Sequence, residues 1–223
     1  MKRQPEAELM LGEEQAQAYA EADFEEAHSR FTDLLIETFF EEALGTWVLD
    51  LGCGPGDISL RVARTYPGCQ VHGVDGSEAM LGHGLKAVRR EGLEHRIRLI
   101  HGYLPGAVLP RESYDAVVSN SLLHHLKDAS VLWDTVAEVT SHSAPIFVMD
   151  LMRPSSTQTA REMVELCCPN EPEHLKRDFF LSLCAAYHPD EVRKQLSQSD
   201  LQSLQVNVVS DRHLLVHGRR DSI

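Results

Sequence analysis

Three glycines stand at alternate positions, Gly52, Gly54 and Gly56, directly behind the apolar run VLDL at 48–51, and helical sequence follows them. Glycines in such a turn reach backbone angles closed to other residues and remove the Cβ atoms that would block a ligand. The spacing is G-x-G-x-G, with Pro55 inside it and Asp57 directly after, and so departs from the G-x-G-x-x-G of dinucleotide folds. No Gly-Lys-Ser/Thr follows, which excludes a phosphate-binding P-loop. Asp75 ends the next apolar run, where a carboxylate accepts hydrogen bonds from both ribose hydroxyls. Its other possible task is to cap the helix that begins near Ser77. With the glycine turn in place the ribose role outweighs the cap. A nucleoside is therefore expected, and a pyrophosphate is not required.

Other residues carry weaker chemical signals. His124 and His125 sit together in one loop, and an unperturbed imidazole accepts a proton near neutral pH, so either could be a base. Neither has an orienting partner visible in the sequence, and the plainer alternative is that both fill the mouth of a sheet. Arg153 and Arg161 could receive an anionic substrate or be surface charge. Cys53 suits a small buried filler better than a nucleophile. The group Cys167, Cys168, Cys184 and His188 lacks the paired spacing of a zinc site, so no metal is expected.

The elements that must position these residues follow a change of period. Residues 13–44 read as one helix, with Ala20, Phe24, Ala27, Phe31 and Leu35 along one face and Gly45 able to end it. Short apolar strands then alternate with amphipathic helices. The strands are TWVLDL (46–51), CQVHGV (69–74), RIRLIH (96–101), YDAVVSN (114–120) and PIFVMDL (145–151). That alternation implies a parallel sheet with helices on both faces. The stretch YLPGAVLPRES (103–113) reads as a loop, and Asp128 is placed to accept from an early N–H of the helix after it. A long connection at about 152–188, interrupted by Pro169 and Pro172, suits a helical lid, and Pro189 opens the next helix. Two final runs in LQVNVVSDRHLLVHGRR (204–220), split by a Ser-Asp turn, read as a hairpin whose last strand runs against the rest.

The chain has 223 residues, which suits one domain with its own core. Its formal charge of −13 repels phosphate backbones and disfavours nucleic acid as a partner. The N-terminal stretch shows no apolar region of the secretory kind and no run approaches membrane-spanning length, so a cytoplasmic protein is expected. An odd number of cysteines, five, without a framework fits reduced thiols.

Taken in order, VLDLGCGPG (48–56), GVDGSEAML (73–81) and YDAVVSNSLLHHLKD (114–128) resemble the first, second and fourth motifs of the class I S-adenosylmethionine-dependent methyltransferases. The resemblance covers residues 45–151, and the terminal hairpin suits the family's reversed seventh strand. It implies a Rossmann-like α/β three-layer sandwich with a mostly parallel seven-stranded sheet in the order 3-2-1-4-5-7-6 and an antiparallel last strand. Residues 1–44 would form an N-terminal helical cover, and 45–223 the methyltransferase domain with its lid. The implied cofactor is S-adenosylmethionine. Asp50 and the turn Gly52, Cys53, Gly54 and Gly56 would surround its methionine part, Asp75 its ribose, and Gly76 and Met80 its adenosine. The loop IHGYLPG would contact adenine, with Gly102 and Tyr103 where the family often has a glycine and an acid. Asn120 would lie beneath the sulfonium or its amino-acid tail, and at least one of His124 and His125 would face cofactor or substrate.

Tyr19 and Asp23 share a face of the N-terminal helix, from which the Tyr19 hydroxyl could reach the methionine carboxylate; the alternative is a solvated surface. The expected reaction is in-line methyl transfer to a small or medium-sized acceptor. Two alternatives stay open: a non-catalytic methyltransferase-like regulatory or binding protein, and an NAD(P)-dependent oxidoreductase.

Overall fold

Strand residues alternate between two apolar sets, and this alternation builds the layers. Val48, Ala116, Val118, Phe147 and Met149 pack on one side of the sheet with Phe31, Leu35, Ile58, Val62 and Val88. Their neighbours Leu49, Leu51, Val117, Ile146 and Val148 pack on the other side with Leu132, Trp133, Val136, Val192 and Leu196. Strands buried on both faces need helices on both faces, as the parallel arrangement requires. The computed structural model describes residues 1–6, 12–22, 24–39 and 44–221.

The sheet comprises β1 (Trp47–Leu51), β2 (Gln70–Asp75), β3 (Ile97–His101), β4 (Ala116–Asn120), β5 (Pro145–Leu151), β6 (Gln205–Val208) and β7 (His213–Arg219). Their order is β3-β2-β1-β4-β5-β7-β6, as expected. Pairs among β1 to β5 are parallel, whereas β7 runs antiparallel to both β5 and β6. On the first face lie α2 (Glu25–Thr38), α3 (Asp57–Thr65) and α4 (Glu78–Arg90); on the second lie α5 (Ser130–Val139) and α8 (Pro189–Leu196). Trp133 is fully buried in the second layer and donates its indole N–H to Gln195 at 3.1 Å. Truncating such a residue to alanine costs about 3–5 kcal/mol.

The expected single helix over 13–44 is instead two, α1 (Glu13–Glu21) and α2. Ala22 leaves the helical region with ψ 148°, and Phe24 packs its ring 4.6 Å from Tyr19 and 5.5 Å from His28. This aromatic stack accompanies the bend, and all three rings line the same cavity. Residues 40–43, the end of the expected helix, lie outside the described residues. Asp128 accepts from Ser130 N at 2.9 Å at the start of α5, and 103–113 carries no helix. Beyond β5 the long connection forms α6 (Thr157–Cys167) and α7 (Glu173–Ala185), which pack on each other through Ala160, Val164 and Leu183. Among the described residues, no helix is long and apolar enough to cross a membrane.

Candidate active site

The carboxyl ends of β1, β2, β4 and β5 open into a cavity of about 320 Å³, within the range of small-molecule sites. One half of it is made by main chain. Asp75, the last residue of β2, accepts from Gly54 N on one carboxylate oxygen and from Ser77 N on the other, both at 2.8 Å. Ser77, not Asp75, caps α4, through its hydroxyl and Met80 N. Each Asp75 oxygen retains a second lone pair for a ligand hydroxyl. Burial pushes the Asp75 pKa up, against the two N–H groups that favour its anion.

Gly54 has φ 51°, and a Cβ built there would meet nothing within 4 Å. The turn is therefore open on the cavity side. A nucleoside fits this cradle, because open space at Gly54 lies beside a carboxylate with acceptor capacity to spare. Gly52, Cys53, Gly54, Asp75, Met80 and Asn120 all line the cavity. Tyr19 lines it too, its phenol pushed up to about 12 by burial and by the charges of Asp75, Asp150 and Asp57. Its expected partner Asp23 lies outside the described residues.

Other expected contacts are placed differently. Asp50 is buried and accepts from the Ser59 hydroxyl at 2.6 Å, so it braces the first turn of α3 instead of lining the cavity. Burial pushes its pKa up to about 7, opposed by the Ser59 bond and reinforced by Asp75 and Asp57. Gly56 is the left-handed residue that starts α3, with φ 80°, and also stays outside the cavity lining. Gly76, Gly102 and Tyr103 lie beyond the lining as well. Gly102 N donates to Asp75 O, and His101 Nε2–H donates to Gly76 O, so the loops after β2 and β3 are held together. Tyr103 is half exposed, edge-on to His101 at 5.4 Å. Arg153 is buried and tied to Ala186 O and Glu191, while Arg161 lies 5.9 Å from the Phe180 ring. Neither arginine lines the cavity, so the expected anion-receiving role has no support there.

The other half is made by side chains from distant parts of the chain. The one-turn helix Leu123–His125 follows β4, and Ser121 before it holds φ 58°, a strained angle for a residue with a side chain. His124 Nδ1–H donates to Asp150 at 2.6 Å, and the same carboxylate accepts from Leu123 N at 2.7 Å. His125 Nδ1 lies 2.8 Å from Glu6 Oε2, whose other oxygen accepts from the Ser182 hydroxyl. The two imidazoles lie against each other with centroids 4.0 Å apart and their planes tilted by 37°. Burial draws the His124 pKa down, but the Asp150 charge and hydrogen bond outweigh it and leave the pKa raised. Burial and the neighbouring His124 lower that of His125, against the pull of Glu6.

Glu6, His124 and His125 offer atoms within 4.8 Å of one another. Both Nδ1 atoms are engaged by carboxylates, which leaves each ring its Nε2. Glu6, Asp150, Phe24 and His28 were missed by the sequence reading. Of these, only Asp150 carried a signal, as an acid near the carboxyl end of an apolar strand. The walls on this side come from α6 and α7 through Cys167, Cys168, Leu175, Phe179 and Ser182.

A methyltransferase-domain family model matches residues 48–145, the span from the glycine turn to the start of β5. Residues 48–145 thus match a methyltransferase domain, in accord with the class I S-adenosylmethionine-dependent methyltransferase resemblance of the motifs. The cofactor of that family is S-adenosylmethionine, in accord with the expected transferase class. Similar curated proteins include a release factor glutamine methyltransferase from Gloeobacter violaceus, 40% identical over 84 residues (37% of this chain, 28% of that one). Another is a demethylmenaquinone methyltransferase from Porphyromonas gingivalis, 31% identical over 110 residues (49% and 45%). The chain thus spans less than half the length of these two relatives. The fold is shared with a SAM-dependent methyltransferase from Aquifex aeolicus, with a TM-score of 0.67 at 14% identity over 94% of this chain and 98% of that one.

Proposed function

We propose that this chain holds S-adenosylmethionine between the glycine turn and Asp75 and methylates a small or medium-sized acceptor that enters beside α6 and α7. The carrying observation is the Asp75–Gly54 contact at 2.8 Å, next to a glycine whose missing side chain leaves open space. The bound cofactor supplies a methyl carbon already activated by its sulfonium. The protein's work is therefore alignment and exclusion of water.

In this reading Asp75 accepts from the ribose hydroxyls and Met80 borders the adenosine, with Gly76, Gly102 and Tyr103 beyond it. Tyr19 keeps its proton and donates to the amino-acid carboxylate, and Asn120 faces the sulfonium end. His125, neutral at pH 7, accepts at Nε2 any proton the acceptor must lose. Residues 1–44 form a cover, and α6 with α7 a lid, over a domain that spans 45–223. A cytoplasmic location belongs to the same proposal, supported by five unpaired cysteines.

Calorimetry on the purified chain with S-adenosylmethionine, S-adenosylhomocysteine and NADH tests it. Selective binding of the two sulfur nucleosides is expected. NADH binding alone, or no binding of any of the three, would contradict it.

A further inference from the structure

The first six residues run as a strap between the His124–His125 turn and α7. The Arg3 guanidinium lies 3.8 Å from the Tyr187 ring centroid and donates to Ala185 O, His124 O and Leu126 O at 2.5, 3.0 and 2.7 Å. Gln4 N donates to Cys184 O at 3.0 Å. Arg3 thus grips the backbone of the turn that carries both histidines, and three residues on, Glu6 lies 2.8 Å from His125 Nδ1. Glu6 is itself fixed by the Ser182 hydroxyl of α7 at 2.7 Å.

Resting on the methyl-transfer reading above, we infer that residues 1–6 complete the acceptor end of the site, with Glu6 the positioning residue that fixes His125 as the Nδ1–H tautomer. Nε2 is then the lone-pair nitrogen left to a ring that lines the cavity. A neutral imidazole has one donor and one acceptor nitrogen, so a carboxylate on Nδ1 decides which is which. The two adjacent rings divide the work. The Asp150 carboxylate favours the protonated form of His124, and a charge there disfavours protonation of His125. The charged and titratable groups that bear on His125 are Glu6, His124 and Asp150, with Asp75 across the cavity. The carboxylate comes from 119 positions upstream of its imidazole, so no local motif contains the pair.

The test is nitrogen NMR of the full chain labelled at histidine, with and without S-adenosylhomocysteine, His125 being assigned by its loss in His125→Gln. The wild type should show His125 with Nδ1 protonated and Nε2 bare. Glu6→Ala should convert it to a tautomer mixture. Glu6→Gln should keep the tautomer but weaken its proton affinity about tenfold. Arg3→Ala should reproduce part of the Glu6→Ala change by loosening the strap. Affinity for S-adenosylhomocysteine should be unaltered in all three variants, which also reports that they fold. An unchanged His125 spectrum in Glu6→Ala or Arg3→Ala overturns the inference. So does one equivalent of Zn²⁺ held by the wild type and lost in Glu6→Ala, which would make the cluster a ligand set. If S-adenosylhomocysteine does not bind the wild type, the methyl-transfer reading fails, while spectra of the ligand-free chain still decide the Glu6 pair.

Discussion

The two halves of the cavity are built by different means. On the β1 and β2 side, main-chain N–H groups meet one carboxylate across 21 residues, and the shape comes from a glycine with φ 51°. On the β4 and β5 side, two imidazoles meet two carboxylates brought from 26 and 119 positions away, and the walls come from α6 and α7. The first half is a property of one turn and one strand end, so it suits a part of the ligand that never changes. The second half depends on whatever the chain packs over the sheet, so it can be rebuilt for another acceptor without disturbing the first. In the proposed function, specificity for the donor and specificity for the acceptor are thereby separable.

Substitutions can break or sharpen that separation. The largest effect is expected from Gly54→Val, which puts a branched side chain into the open space of the turn at a backbone angle it resists. S-adenosylhomocysteine affinity should fall at least about a hundredfold, or ~2.7 kcal/mol. Circular dichroism should still report a folded chain, and normal binding by a folded variant would show that the turn is not the cradle. Next, Asp75→Asn should cost about 1.5–3 kcal/mol of cofactor affinity by calorimetry, the range for hydrogen bonds to a charged group. Unchanged affinity would end the ribose assignment.

A different readout, the pH dependence of stability, concerns Asp50, beneath the turn. Its pKa near 7 when folded exceeds the unfolded value of about 3.9, so the folded chain holds the extra proton between them. Stability should therefore fall as pH rises from about 4 to about 7, by at most ~1.4 kcal/mol per unit from this group. Urea melts of Asp50→Asn against wild type over that window should show the slope reduced in the variant; equal slopes would mean that Asp50 ionises freely. The smallest effect is expected at Arg161, away from both halves. Arg161→Ala should leave stability within about 0.5 kcal/mol and cofactor affinity unchanged.

The same contrast explains what could be read in the sequence. The sheet order and the placement of Gly54 and Asp75 at the cavity follow from short-range patterns, because strand alternation and turn spacing are local. Asp50 is placed differently from the turn because it lies within β1 and is held by Ser59 of α3, whereas Gly52 and Cys53, beyond the strand end, reach the cavity. The break between α1 and α2 also escaped the helical periodicity, since it accompanies the packing of Phe24 on Tyr19 and His28. Glu6 was invisible because nothing in an acidic N-terminal stretch marks which of its carboxylates will fold back on His125.

The measurement that tests the central claim most directly is a crystal structure of the full chain with S-adenosylhomocysteine. The account predicts both ribose hydroxyls within hydrogen-bond distance (~2.6–3.2 Å) of the Asp75 carboxylate, and the sulfur directed toward Asn120 and the His124–His125 turn. A ribose away from Asp75, or a sulfur directed toward the β3 side, would contradict it.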